Sequence, residues 1–367
     1  MTLQRIFSAT PLLLALSLSG CGSGSGSGGG SGGAGTTNIY IAGTTGIAAK
    51  FNTYESIATY WKNGTATELT DGTSYASASA IAVDGSGNVY VAGDTTDTTT
   101  GNDVATYWKN GAATNLTDGT TQADAKAIVV DTSGNVYIVG STSEASGYSI
   151  ATYWKNGTPT YLTDGTAPAG ADAIAIDGSG NVYVAGSTSK AYSGNSIATY
   201  WKNGTATNLT DGTSLAAAFA IALDSSGNIY VAGIVYSAIT SKSIATYWKN
   251  GTATNLTDGT NYADANAIAV DSSGNVYVAG DTANASGDYV ATYWKNGTVT
   301  TLTGTSYATA YAIAVDSSGN SYVAGVTGSL SANDMPAYWK NGTAINLPNG
   351  AAACGCALAS GIALSSH

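Results

Sequence analysis

Six aspartates recur along the chain at almost equal steps: Asp84, Asp131, Asp177, Asp224, Asp271 and Asp316, each opening the five residues Asp-x-Ser-Gly-Asn. Carboxylate beside hydroxyl and amide oxygens is hard-cation chemistry, and Ca²⁺ favours such ligands. The same residues also build an Asx turn, in which the aspartate accepts hydrogen bonds from its own backbone. No second carboxylate stands at ligand spacing inside these turns, so a structural turn is the expected role. Asp71, Asp118, Asp164, Asp211 and Asp258 are read in the same way. No cofactor is predicted, and Ca²⁺ is the ion these oxygens could take.

Other chemistry is poorly supplied. The only histidine is His367, so no Ser-His or Cys-His pair and no histidine-ligated metal can be assembled within the repeats. Glu55, Glu68 and Glu144 are the only glutamates, and Arg5 is the only arginine. No glycine loop of nucleotide-binding type is present. The formal net charge is −11, and the chain without Arg5 is more acidic still, so nucleic acid is an unfavourable partner.

Those residues sit in a repeat. The word Tyr-Trp-Lys-Asn-Gly carries all seven tryptophans, Trp61, Trp108, Trp154, Trp201, Trp248, Trp294 and Trp339, at steps of 45 to 47 residues. Each unit reads as four strands. Ala-Ile-Ala-Val comes first, followed by the Asp-x-Ser-Gly-Asn turn. Asn-Val-Tyr-Val-Ala is the second strand, rich in β-branched and aromatic residues. After a variable loop, Ile-Ala-Thr-Tyr-Trp-Lys is the third. Asn-Gly, which suits a type I′ turn, leads into Thr-Ala-Thr-Asn-Leu-Thr, the fourth.

Four strands per unit, seven times over, predict an all-β, seven-bladed β-propeller. The repeat starts out of phase, with a second strand at Asn38, and ends on a lone first strand at Gly361–Leu364. The ring is therefore expected to close with N-terminal second, third and fourth strands plus a C-terminal first strand. Tyr and Trp of the third strand point to opposite faces, and both faces meet neighbouring blades. They are read as packing rather than as a sugar platform. The lysine after each Trp is expected to point to solvent. The Asn-Gly-Thr triplets are read as turns, not as glycosylation sites.

Gly/Ala-Ile-Ala-Val-Asp-x-x-Gly-Asn-Val-Tyr-Val-Ala resembles the inner two strands of NHL-type and related bacterial β-propeller repeats. The Tyr-Trp-Lys-Asn-Gly and Leu-Thr-Asp-Gly extension is similar to secreted bacterial repeat lipoproteins. This resemblance spans about Asn38 to Leu364 and implies a fold, not an activity.

Residues 1–20 read as a signal peptide, with Arg5 before the short apolar run Pro11 to Leu18. Leu18-Ser-Gly-Cys21 resembles a bacterial lipobox, which implies cleavage before Cys21 and lipidation of that cysteine. Residues 21–37 then form a Gly/Ser tether that holds the propeller, residues 38–367, roughly 20 Å from the lipid. Gly22 follows the cysteine where inner-membrane lipoproteins often carry aspartate, so an outer-membrane location is expected, facing periplasm or medium. Cys354 and Cys356 are expected to form a strained loop disulfide in an oxidising compartment, with free thiols, or metal or redox work, as the alternatives, although two thiols alone do not make a zinc site.

The copies differ mainly on one face of the ring, where the loops between second and third strands carry Asp94, Asp103, Tyr236, Lys242, Asp281 and Asp288. The residue just before each first strand differs too: Ser79, Lys126, Asp172, Phe219, Asn266, Tyr311 and Ser360. Two positions earlier stand Asp124 and Asp264. These residues are predicted to ring the mouth of the axial channel and form a ligand site. The leading reading is a lipid-anchored, monomeric, non-catalytic scaffold for an envelope or extracellular protein or glycan. The runner-up is a Ca²⁺- or Mg²⁺-dependent hydrolase or lyase using Asp124, Asp172, Asp264 and Asn266. A third is an envelope-assembly scaffold similar to the propeller lipoprotein of the outer-membrane assembly machinery, from which this chain differs in blade number and motif.

Overall fold

The structure, a computed structural model, describes residues 37–46, 56–143, 147–190, 194–302, 307–329, 332–348 and 357–366. The leader, Cys21, the Gly/Ser stretch, Cys354 and Cys356 lie outside the described residues. The described chain forms seven four-stranded antiparallel sheets and contains no helix. It is a seven-bladed all-β propeller.

Six blades are continuous in sequence. Blade 2, for example, runs Ala76–Val83, Val89–Thr96, Asp103–Lys109 and Ala112–Asn115 from axis to rim. Blades 3 to 7 begin with the inner strands Ala123–Val130, Ala169–Ile176, Ala216–Leu223, Ala263–Val270 and Ala308–Val315. Blade 1 is composite. Its inner strand is Leu358–Ser366, and Thr37–Gly46, Ser56–Lys62 and Thr65–Glu68 complete it. Inner strands pack in sequence around the axis, and Leu358–Ser366 lies between those of blades 7 and 2. The expected closure is thereby formed.

The repeated words are explained by what they touch. All seven tryptophans are at most 1% exposed, and each lies in a cluster with the preceding blade. Trp248 of blade 5 packs with Ala173, Tyr183 and Ala198 of blade 4. Trp61 packs with Tyr322, Tyr338 and Leu347 of blade 7 and donates its indole N–H to the Pro348 carbonyl at 2.9 Å. A side chain of that size, buried in every interface, contributes strongly to blade stacking. The Asn-Gly pair takes positive φ at both residues, 49° at Asn110 and 86° at Gly111, as a type I′ turn requires.

The inner strands differ from expectation. They begin four residues earlier than the Ala-Ile-Ala-Val word in blades 2 to 7 and three residues before its Gly361 copy in blade 1, and they contain a β-bulge in every blade. In blade 2, Ala78 pairs Gly93 and Ala80 pairs Ala92, so Ser79 is the extra residue. The glycine opposite makes the bulge possible. A Cβ at Gly93 would collide with the Ser77 carbonyl, one at Gly140 with that of Asp124, and one at Gly280 with that of Asp264. The Gly of Val-Ala-Gly is therefore a steric requirement that the sequence reading passed over.

Candidate functional site

The seven bulged residues are Ser79, Lys126, Asp172, Phe219, Asn266, Tyr311 and Ser360. They were expected just outside the inner strand and lie within it. A bulge leaves one residue out of the ladder and re-aims its side chain. Here the device is used at the same level of every blade, on the strands nearest the axis. The bulges lie toward the strand ends shared by the variable loops. Identical backbone thus presents six kinds of side chain.

The site divides into two clusters. The first spans blades 2 to 4. Lys126 Nζ donates to Asp172 Oδ1 at 2.9 Å across a blade interface, with the side chains 22% and 10% exposed. Asp124 stands two residues from Lys126 and accepts the Ser141 backbone N–H at 2.7 Å. Asp94, on the second strand of blade 2, accepts the Ser77 hydroxyl at 2.9 Å. Burial pushes Asp94 up to about 7, with Asp103 and Asp124 adding repulsion. Burial also raises Asp124, although the Lys126 charge pulls it down. Burial works against the Lys126 charge, yet Asp172 and Asp124 outweigh it and raise the ammonium above its usual range.

The second cluster belongs to blade 6. Asp264 and Asp281 are Cα partners on the first two strands. Asn266 Nδ2 donates to Asp281 Oδ1 at 3.1 Å and to the Ala310 carbonyl of blade 7 at 3.2 Å. Both carboxyls are raised, chiefly by burial, and Asp281 further by the Asp264 charge. Tyr289 is pushed up to about 12 by burial and by these two carboxyls.

Sequence reasoning placed Asp94 and Asp281 in loops. Both lie on second strands, because those strands extend three residues past Val-Ala-Gly to meet the lengthened inner strands. The four residues suspected as metal ligands are not gathered. Lys126 sits with Asp124 and Asp172, while Asp264 and Asn266 are in blade 6. Among the described residues, no three His, Cys, Asp or Glu side chains are placed to hold a metal ion.

The opposite end of the ring is uniform. Asp177 Oδ1 accepts the N–H groups of Ser179 and Asn181, and Oδ2 accepts the Asn181 amide and the Tyr183 hydroxyl. The other five turns repeat this pattern, so these aspartates form the expected Asx turns. Burial is the largest single influence on Asp177 and raises it, but the hydrogen bonds from Asn181, Ser179 and Tyr183 together outweigh it and hold the carboxyl below its ordinary value. The lysines of Tyr-Trp-Lys-Asn-Gly are exposed but do not simply project into water. Each ammonium lies over the ring of the second-strand tyrosine, at 4.9 Å for Lys295 on Tyr277 and 5.2 Å for Lys62 on Tyr40.

Comparison with known proteins agrees with this architecture. The family described as "Beta-propeller repeat" (SBBP) matches residues 116–149, 172–191, 256–287 and 300–330, all of them within the propeller. No curated protein matches the sequence. Among solved structures, a puromycin-hydrolysing peptidase of Mycobacterium tuberculosis is similar at 11% identity and TM-score 0.51, over 84% of this chain and 52% of that one. An ulvan lyase of family PL25 is similar at 9% identity and TM-score 0.46, over 72% and 81%. TolB of Acinetobacter baumannii is similar at 13% identity and TM-score 0.45, over 87% and 82%. At these identities the likeness is one of fold alone.

Proposed function

We propose that this β-propeller repeat protein is a lipid-anchored, non-catalytic binding module of the bacterial outer envelope, and that its ligand, an envelope protein or glycan, seats on the axial mouth. One observation carries this reading: seven equivalent bulges on a nearly invariant frame hold Ser79, Lys126, Asp172, Phe219, Asn266, Tyr311 and Ser360. A rim that mixes one ammonium, a carboxyl, an amide, two aromatic rings and two hydroxyls suits recognition by several weak, oriented contacts. The same inventory is poor in general acid–base pairs and nucleophiles, since the sole histidine is His367. The lipobox-like Leu18-Ser-Gly-Cys21 supports anchoring.

The test exploits Ser79 and Ser360, which show that the bulge accepts serine. A ring variant carries Lys126→Ser, Asp172→Ser, Phe219→Ser, Asn266→Ser and Tyr311→Ser. Wild type and variant are immobilised and exposed to solubilised envelope and released surface polymer from the source cells. Bound protein and sugar are then analysed. A component retained by wild type alone supports the reading, and equal retention by a folded ring variant ends it. Radiolabelled palmitate incorporation, lost in Cys21→Ser, tests the anchor separately.

A further inference from the structure

Asp264 and Asp281 occupy directly opposed positions of an antiparallel pair, where side chains lie side by side. Asp281 is 4% exposed and Asp264 Oδ1 is buried with no hydrogen-bond partner. Two ionised carboxylates cannot be buried together without a compensating charge. Among the described residues, none is supplied by the elements packed around them. From blade 5 come Tyr236 and Ser243, both uncharged at neutral pH. From blade 6 come Tyr262, Tyr289 and Asn266. Asp288, beside Tyr289, adds negative charge and contacts Asn284. From blade 7 the Ala310 carbonyl faces the cluster and accepts from Asn266. Lys242 is committed to the Thr260 carbonyl and stands 6.0 Å from the Tyr262 ring.

We propose that Asp264 and Asp281 share one proton at neutral pH, and that its loss loosens the mouth-side end of blade 6. The binding face would then contain a built-in proton-sensitive latch, independent of any ligand. With the proton held, a neutral carboxyl donates to its ionised neighbour and the buried Oδ1 is satisfied. Without it, the two charges repel at a strand end where the next tie is the Ala283 N–H to the Tyr262 carbonyl, at 2.7 Å. The strain is passed on through Asn266, which bridges Asp281 to blade 7.

The sign follows from linkage. A carboxyl pair that keeps its proton longer when folded destabilises the fold as pH rises above the ordinary carboxylate range. The full-length wild type, Asp281→Asn and Asp264→Asn are unfolded in urea between about pH 5 and about pH 8. The ratio of variant to wild-type folding constants should climb by up to about tenfold per pH unit until the shared proton is lost. Protection of the Ala283 amide, corrected for intrinsic exchange, should fall with pH in wild type and stay level in Asp281→Asn. Should neither variant fold, ¹³C-carboxyl NMR of wild type decides: one proton must persist on the pair at neutral pH. A flat ratio, or two carboxyls that both titrate at ordinary values, overturns the shared proton. Level Ala283 protection in wild type overturns the latch. None of these readouts involves a ligand, so failure of the binding assay leaves them unaffected.

Discussion

The Lys126 ammonium and the Asp172 carboxylate meet at 2.9 Å although they fill the same bulge position of successive blades. Asn266 likewise reaches across its interface, to the Ala310 carbonyl next to the Tyr311 bulge. At these two interfaces a substitution at one bulge is felt at the next blade.

This adjacency predicts a specific asymmetry. Lys126→Met leaves Asp94, Asp124 and Asp172 without their shared cation and should cost about 3 kcal/mol in urea unfolding. Lys126→Met combined with Asp172→Asn should recover more than half of that loss. Equal destabilisation of the single and double variants would show that the ion pair is not the source.

Asp94 gives a pH-dependent prediction. Its folded value is raised from 3.8 to about 7. Below the unfolded value both states are protonated and stability is unaffected. Above it the unfolded chain releases the proton first, so stability declines with pH until about 7 and then levels. For a partly exposed side chain the decline should be about 2 kcal/mol. Asp94→Asn should remove that part of the slope, as read by unfolding at several pH values.

Gly186 should be intolerant and Gly178 permissive. A Cβ on Gly186 would strike the Gly170 carbonyl behind the blade 4 bulge, whereas Gly178 has open space around it. Gly186→Ala should lose about 3 kcal/mol or fail to fold. Gly178→Ala should stay within about 0.5 kcal/mol of wild type.

The closing blade is the weakest copy of the turn network. Elsewhere the second-strand tyrosine donates to the turn aspartate, at 3.1 Å for Tyr90 and Asp84. In blade 1 the equivalent pair is Tyr40 and Ser365, and both hydroxyls are buried without partners. Ser365 is the Cα partner of Asn38, which supplies the amide that the other copies use. Ser365→Asp should therefore stabilise the ring by about 1 kcal/mol, measurable as a raised melting temperature.

Much of this was readable from the chain because seven copies report on one another. Strand identity, both turn types and the mode of closure followed from period, β-propensity and Asn-Gly chemistry. The set Ser79 to Ser360 emerged because it varied where its neighbours did not. What the repeats could not disclose is register. A bulge changes pairing without changing composition, so the longer inner strands and the role of Gly93 and its counterparts were hidden. The opposition of Asp264 and Asp281, seventeen residues apart, likewise exists only once the two strands are aligned. The lysine ammonium over its tyrosine required knowing that Lys109 and Tyr90 are cross-strand partners.

Blade 1 also fixes how the molecule bears load. Thr37–Gly46 is bonded along one edge to Ser56–Lys62 and along the other to Leu358–Ser366. Its ladder hydrogen bonds run perpendicular to the strand. A pull on the chain ahead of Thr37 therefore shears two rows of bonds at once instead of peeling one row open. The seam that completes the circle is in this sense a rivet: tension entering from the N-terminal side is shared between the first and last segments of the protein before any blade can unravel.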